Sequence, residues 1–298
     1  MLEEYINEFI EYIKNHRGHS GFTQVNYRHD LLQFDNFLRT HFPGGIESPK
    51  EIKPYTIRAF LAGFRESGYK ASSIERKVAS LRAFFKFLYV KGLIDLNPAR
   101  YVVVPRKERT LPGFLDYSQI ESAITNIRGD TAEIYRDLVI FELLYATGIR
   151  LRELSGLRTS DIFLPRMVLR VMGKGAKERM AHFGEPAKFA LERYLEHRKE
   201  LLKGKADSGI LLLNRRGEPL SPRGVEYIVK KHMSKIPGAR TNPHAFRHSF
   251  ATHLLSRGAP LLEIKELLGH SSLSTTQRYI HLQLEQLKDT HKRTHPRG

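Results

Sequence analysis

Residues 242–255 read NPHAFRHSFATHLL, and this stretch predicts a helix with basic side chains in its first turns. Asn242 followed by Pro243 is typical of a helix N-cap with proline at the first helical position. His244 and Arg247 are three residues apart, so they share one face of that helix. Because a helix N-terminus favours negative charge, this face predicts an anion site.

Two more histidines, His248 and His253, follow on the same helix. His244 and His248 at i, i+4 also have the spacing of half a metal site. The stretch has no acidic third ligand at a useful spacing, so we expect no metal here. Any single histidine in such a helix is more typical of packing or of the surface.

Upstream, residues 146–157 read ATGIRLRELSGL and residues 171–179 read VMGKGAKER. Arg150 and Glu153 are three apart, so the carboxylate is placed to hold the guanidinium for bidentate contact with a phosphate. Taken alone, such a pair is more typical of the surface. Lys174 lies between two glycines at the tip of a predicted hairpin, where the backbone can approach a ligand closely.

Downstream, residues 267–282 read LLGHSSLSTTQRYIHL. His270 follows Gly269, which is expected to end a helix, and Tyr279 lies on a short helix that Ser274 caps. A tyrosine in such a place is more often part of a core or an interface. Each of the four segments is a weak signal, but their order and spacing together are highly specific.

In that order and spacing the chain resembles the tyrosine recombinases, most closely their Xer branch, over nearly its whole length. The resemblance implies an active site of six residues: Arg150, Lys174, His244, Arg247, His270 and Tyr279. Glu153 is the expected support of Arg150. The implied reaction cuts and rejoins DNA through a 3′-phosphotyrosyl bond to Tyr279.

The resemblance also implies how these groups divide the work. The two arginines would clamp the phosphate, and His270 would donate a further hydrogen bond to it. His244 would assist proton transfer at Tyr279, while Lys174 would protonate the leaving oxygen. Departures from the family pattern are Ala176 in the hairpin, Arg278 before the tyrosine, and RMAHF at 179–183 in place of a more apolar strand.

Charge is the distinctive feature of the composition. The chain has 298 residues with 49 Lys and Arg against 32 Asp and Glu, a net charge of +17. Residues 214–298 carry 15 basic and 6 acidic side chains, which is over half of the excess. Such a balance attracts polyanions and favours double-stranded DNA as the partner. The alternatives that charge alone leaves open are a ribosome-associated and a membrane-surface protein.

Other classes are excluded by what the sequence lacks. It has no cysteine, so disulfides, thiolate metal sites and a cysteine nucleophile are ruled out. No apolar run approaches the ~18 residues of a membrane span, and no signal-peptide core is evident. Together these absences lead us to expect a cytoplasmic protein. With no P-loop and no plausible ligand cluster, we expect neither cofactor nor metal.

Apolar periodicity predicts four helices in residues 1–92, the last opening with a capping box from Ser72 to Glu75. The resemblance implies that they form a SAM-like core-binding domain. Pro98, Pro105 and the basic run at 106–109 mark residues 93–110 as a linker. Residues 111–298 would then be the catalytic domain, and the two domains are implied to close on DNA as a C-shaped clamp.

The predicted catalytic domain opens with a capping box from Ser118 to Glu121, followed by a buried helix that ends near Gly148. Alternating β-formers at 162–164, 167–172 and 180–183 predict a small antiparallel sheet, and helices resume after residue 191. The fold class expected is therefore mainly α with a small antiparallel sheet.

The function expected from the resemblance is resolution of chromosome dimers at a dif-like site during chromosome segregation. The implied partners are two DNA half-sites, a homo- or heterotetramer with a related recombinase, and an accessory activator. An integrase of a phage or mobile element is the alternative. Three weaker alternatives are a regulator without catalysis, a type IB topoisomerase and a metal-dependent nuclease that uses His244 and His248. They are tested, respectively, by DNA cleavage, by the requirement for a specific DNA site and by the loss of cleavage in chelator.

Overall fold

The structure is a computed structural model that describes residues 2–16, 21–42, 44, 46, 48–103, 113–173 and 178–269. The chain divides into two compact units, Met1–Arg109 and Thr110–Gly298. The described residues are mostly helical, with one three-stranded antiparallel sheet. The predicted fold class is therefore confirmed, while the predicted domain boundaries stay a prediction.

The first unit is built from the four helices that the periodicity predicts, α1 (Glu3–His16), α2 (Gly21–His41), α3 (Pro54–Glu66) and α4 (Ala71–Val90). Aromatic side chains from three of them, Phe9, Phe34 and Phe84, are fully buried in one core. One detail is wrong: α4 begins at Ala71 after Lys70, which makes no side-chain cap. The predicted box from Ser72 to Glu75 therefore lies inside the helix.

The first part of the predicted linker packs onto this core. Ala99 and Val102 are almost fully buried in it, and their carbonyls accept hydrogen bonds from Arg82 at 3.2 and 2.7 Å. The basic run at 106–109 lies outside the described residues. Its place in a linker between the two domains stays a prediction.

The second unit has seven α-helices in its described part, α5 (Tyr117–Thr125), α6 (Ala132–Thr147), α7 (Leu151–Ser155), α8 (Glu185–Leu202), α9 (Pro222–Met233), α10 (Pro243–Ser256) and α11 (Leu261–Leu268). Helix α6 is deeply buried, with Val139, Phe141 and Leu144 inaccessible to solvent. The predicted capping box from Ser118 to Glu121 is wrong, because α5 already begins at Tyr117. Its cap is Asp116, whose backbone N–H donates to the Gln119 side chain at 3.2 Å.

The sheet contains β1 (Ile162–Phe163), β2 (Val168–Met172) and β3 (Glu178–His182) in that order, all antiparallel. Leu169, Val171 and Ala181 point into the core, as period-two alternation requires. The last pair of these two strands is Met172 with Glu178. The predicted hairpin tip at 174–177 lies outside the described residues. Among the described residues, none of the helices is long and apolar enough to cross a membrane.

Candidate active site

Arg150 is placed by the sharp end of α6. Gly148 ends that helix in the left-handed region with φ +56°, a conformation that glycine adopts without strain. A Cβ at this position would lie 2.7 Å from Phe250 Cδ1 and 2.8 Å from Leu268 Cδ2. Only glycine therefore lets the chain turn here, and two residues later Arg150 becomes the N-cap of α7.

Glu153, in the first turn of α7, holds Arg150 in place. Its Oε1 accepts from the Arg150 guanidinium at 2.7 Å, and its Oε2 accepts from the Arg150 backbone N–H at 3.0 Å. The side chain of Glu153 is 7% exposed, whereas that of Arg150 is 36% exposed. The predicted pairing is present, and it leaves part of the guanidinium accessible to a ligand.

The charge state of Glu153 follows from these contacts. Burial alone raises the pKa of its carboxyl group, since the charged form loses water. The hydrogen bonds from Arg150 and the nearby charges of Arg179 and Arg150 outweigh that effect and hold the pKa below its ordinary value. Glu153 is therefore a carboxylate at neutral pH.

Arg247 is buried on α10, where Asn242 caps the helix by accepting from the Ala245 N–H at 3.0 Å. Its guanidinium donates to the Gly148 carbonyl at 2.5 Å and to the Leu268 carbonyl at 2.6 Å. Arg150 donates to the next carbonyl, that of Gly269, at 3.1 Å. Both arginines thus donate to the C-terminal end of α11, and Arg247 also donates to the turn after α6.

His244 lies in the first turn of α10 and is exposed. It is three residues before Arg247, so the two predicted residues are on neighbouring turns of the same helix. His253, further along, is used differently: its Nδ1 lies 2.9 Å from the hydroxyl of Tyr145. Burial is the main reason that the pKa of His253 is lowered.

Arg179 belongs to the same cluster, and the sequence analysis did not single it out. It lies on β3, and its guanidinium donates to Glu153 Oε2 and to the Leu267 carbonyl, both at 3.0 Å. Period two puts Arg179 on the same face of the strand as buried Ala181. A charged residue on the inward face of a strand was the signal that could have revealed it.

The described cluster therefore contains three guanidinium groups and one carboxylate, which leaves an excess of positive charge. Such an excess attracts an anion. Within the described part of the chain, no group of three histidines or acidic residues is arranged to hold a metal ion. The geometry fits a phosphate group.

The sequence of the chain is similar to a known protein family over both of its units. The model of the phage integrase family matches residues 113–286, and the model of the N-terminal SAM-like domain of phage integrases matches residues 6–92. Tyrosine recombinase XerC of Thermodesulfovibrio yellowstonii is 39% identical over 98% of this chain and 96% of that protein. The chain belongs to the phage integrase family.

Other members agree in sequence and in fold. XerC of Bacillus subtilis is 36% identical, with 100% of this chain and 98% of that protein covered. A crystal structure of the XerH site-specific recombinase bound to palindromic difH substrate has a TM-score of 0.74 at 20% identity, covering 96% of this chain and 83% of that one. This phage integrase family member is a tyrosine recombinase of the Xer type, an enzyme that acts on DNA.

Three of the six predicted active-site residues of this recombinase, Lys174, His270 and Tyr279, lie outside the described residues. The other three are described: Arg150 and Arg247 are brought together, and His244 is on the helix of Arg247. The described chain reaches the neighbours of the missing groups, because Gly173 precedes Lys174 and Gly269 precedes His270.

Proposed function

We propose that Arg150, Arg247, Lys174, His244, His270 and Tyr279 form one active site that cuts and rejoins DNA. The observation that supports it most is the convergence of Arg150 and Arg247. They come from different helices, yet both donate to neighbouring carbonyls at the C-terminal end of α11, and Arg247 also donates to the turn after α6. A scissile phosphate bound here would receive the positive charge that its transition state needs.

In the cleavage step, the phenolic oxygen of Tyr279 forms a bond to phosphorus and the bond from phosphorus to the 5′ oxygen breaks. Negative charge grows on the nonbridging oxygens, and Arg150, Arg247 and His270 neutralise it. Lys174 gives a proton to the departing 5′ oxygen, while His244 takes the proton from the tyrosine hydroxyl. The product is a 3′-phosphotyrosyl ester and a free 5′ hydroxyl.

The ester keeps the energy of the broken bond. A 5′ hydroxyl from a second duplex can therefore attack the same phosphorus and restore both tyrosine and DNA without a nucleotide cofactor. This exchange requires four protein copies on two duplexes, and we propose a homo- or heterotetramer on paired half-sites. An accessory activator and a cytoplasmic location complete the proposal.

We further propose that the sites are a pair of dif-like sequences and that the exchange resolves chromosome dimers. The relatives that support this role are named XerC and align with this recombinase over almost their entire length. The alternative, an integrase of a mobile element, is not favoured, because the likeness to a transposon integrase structure, at 22% identity, is one of fold.

The test begins by mapping the DNA that becomes covalently attached to the chain in its host. A nicked duplex carrying that site traps the covalent complex, since the cut strand diffuses away. Tyr279→Phe should bind the duplex normally and form no covalent complex, because only the attacking oxygen is removed. Tyr227→Phe, at an exposed tyrosine of the same unit, is the matched control and should react normally. A covalent complex with Tyr279→Phe would refute the proposal.

A further inference from the structure

Arg179 on β3 has no role in the reaction described so far, although it contacts the residue that holds Arg150. We propose that Arg179 is a positioning residue for DNA cleavage, which sets the orientation and the available charge of Arg150 through Glu153. The inference rests on the proposed function of Arg150. It adds a seventh side chain to the site and assigns it no contact with DNA.

The first argument is the geometry of the Glu153 carboxylate. Among the described residues, its Oε1 binds only the Arg150 guanidinium, whereas its Oε2 binds both the Arg150 backbone N–H and the Arg179 guanidinium. A carboxylate can accept about four hydrogen bonds, so these three leave little freedom to rotate. Without Arg179, the Oε2 side would be held by a single backbone hydrogen bond, and the carboxylate could turn and take Arg150 with it.

The second argument concerns charge. A single carboxylate paired with Arg150 alone would neutralise the guanidinium that must bind a phosphate. Arg179 shares the same carboxylate, at 3.0 Å against 2.7 Å for Arg150. One negative charge divided between two guanidinium groups leaves one net positive charge, and Arg150 is the more exposed of the two, so the phosphate meets it there.

The third argument is the cost of burying this residue. The side chain of Arg179 is 13% exposed, and its Nε has no hydrogen-bond partner among the described residues. Burial lowers the pKa of Arg179, which means that the cation is disfavoured at this place. An apolar side chain on an inward strand position is often at least as stable as a buried ion pair. The charge is therefore better explained by the reaction than by the fold.

The fourth argument is a second anchor on the other side of the site. Arg179 also donates to the Leu267 carbonyl, and its stem passes Gly269, where a Cβ would lie 2.9 Å from Arg179 Cδ. The Gly269 carbonyl accepts from Arg150 at 3.1 Å. The Arg150 guanidinium is held between the Glu153 carboxylate and the turn after α11. Arg179 binds both of these groups and thus fixes their positions.

The competing explanation is that Arg179 merely joins β3 to α11. A mutant cycle separates the two, because residues that act through one another are not additive. The measured quantity is the single-turnover rate of covalent complex formation on the nicked duplex defined above. We expect Arg179→Met to lower it about 10- to 100-fold, as loss of an outer partner of a reactive group commonly does.

In an Arg150→Ala background, Arg179→Met should have almost no further effect, because Arg179 acts through Arg150. The remaining change in rate should be less than about twofold, which is within the scatter seen for independent sites. The same should hold for Arg179→Met on a duplex whose scissile phosphate is a methylphosphonate. That group carries no negative charge, so the charge of Arg150 is no longer needed. A purely structural role predicts an equal fold-loss in both backgrounds and on both substrates.

Arg170→Met is the matched control, because it removes a guanidinium from the adjacent strand that pairs with Asp161 and does not touch Glu153. It should leave the rate unchanged. If thermal melts show that Arg179→Met does not fold, Arg179→Lys replaces it in the mutant cycle. Lysine keeps the positive charge but lacks the planar guanidinium that contacts Glu153 and the Leu267 carbonyl together. Equal losses in both backgrounds would overturn the inference alone. Normal cleavage by Arg150→Ala would overturn the proposed function and this inference with it.

Discussion

Two buried carboxylates, Asp137 in α6 and Glu153 in α7, each bind a guanidinium, but they differ in their partners and in the exposure of those partners. Asp137 Oδ1 accepts from Arg136 at 2.7 and 3.1 Å, and Oδ2 lies 2.9 Å from His232 Nε2. Glu153 accepts from Arg150 and Arg179. Both carboxylates are at least nine-tenths buried.

Exposure and charge separate the two clusters. At Asp137 the partners Arg136 and His232 are buried as well, and one carboxylate meets one guanidinium. At Glu153 the carboxylate serves two guanidinium groups, and one of them reaches solvent. A sealed and balanced cluster serves the fold, whereas an open one with surplus positive charge is suited to an anionic ligand. Each prediction below tests that distinction.

The largest effect is expected at the sealed cluster. Asp137→Ala leaves the buried Arg136 without its counter-charge, which should cost about 3–5 kcal/mol in the free energy of unfolding. At a temperature where the variant stays folded, covalent complex formation should be near normal. Denaturant unfolding and the nicked-duplex assay measure the two quantities. Glu196→Ala, at an exposed pair with Arg193, is the control and should cost less than about 1 kcal/mol.

Arg150→Ala should show the opposite pattern. Removing one donor to a developing negative charge lowers the chemical rate about 10²–10³-fold. The free energy of unfolding should change by only about 1 kcal/mol, since Glu153 keeps Arg179 and a backbone N–H. Arg166→Ala, which removes an exposed arginine, controls for the loss of one positive charge. A large stability loss with normal cleavage would reverse the assignment of the two clusters.

Gly148→Ala tests the turn that joins α6 to the open cluster. Strain in the left-handed region and contact with Phe250 should together cost about 2 kcal/mol in unfolding free energy. Cleavage should slow too, because Arg247 binds the Gly148 carbonyl. Gly258→Ala is the matched control, with φ +89° and nothing within 4 Å of its added Cβ. Equal losses in the two variants would show that crowding at the turn contributes nothing.

The smallest effect is a pH dependence at Glu153. Its pKa is lower in the folded protein than the ordinary value of about 4.5. It therefore stabilises the fold above that value, and the contribution is lost as the pH falls through the folded pKa. In thermal melts, the advantage of the wild type over Glu153→Gln should be constant near neutral pH and shrink in acid. An advantage that grows in acid would contradict the prediction.

Local signals in the sequence were sufficient for much of the fold. Asn242 and Pro243 begin α10, while Gly148 and Gly269 end α6 and α11, because caps and left-handed ends depend on a few adjacent residues. The capping boxes were less reliable. Asp116 and Ser118 can both cap a helix, and the structure uses Asp116. Which of two such neighbours is the cap depends on where the backbone first becomes helical, and the residue pattern does not specify that position.

The site was predictable only in part, for a similar reason. The contact of Arg150 with Glu153 spans three residues of one helix turn, so spacing was enough to predict it. Arg179 meets Glu153 across 26 residues and the Leu267 carbonyl across 88, and no periodicity encodes such distances. That Arg150 and Arg247 converge could be expected from the family resemblance, but not from the residues alone.

The backbone acceptors of the cluster have one more consequence. Four backbone carbonyls of the cluster lie at the C-terminal ends of α6 and α11, those of Gly148, Leu267, Leu268 and Gly269. The peptide dipoles of each helix leave partial negative charge there. Three arginines receive that charge in addition to the one from Glu153. Within the described cluster, the two helix ends therefore take the place of a second carboxylate in holding the cations together before DNA arrives. A second carboxylate would compete with the phosphate, whereas a helix end has only partial charge.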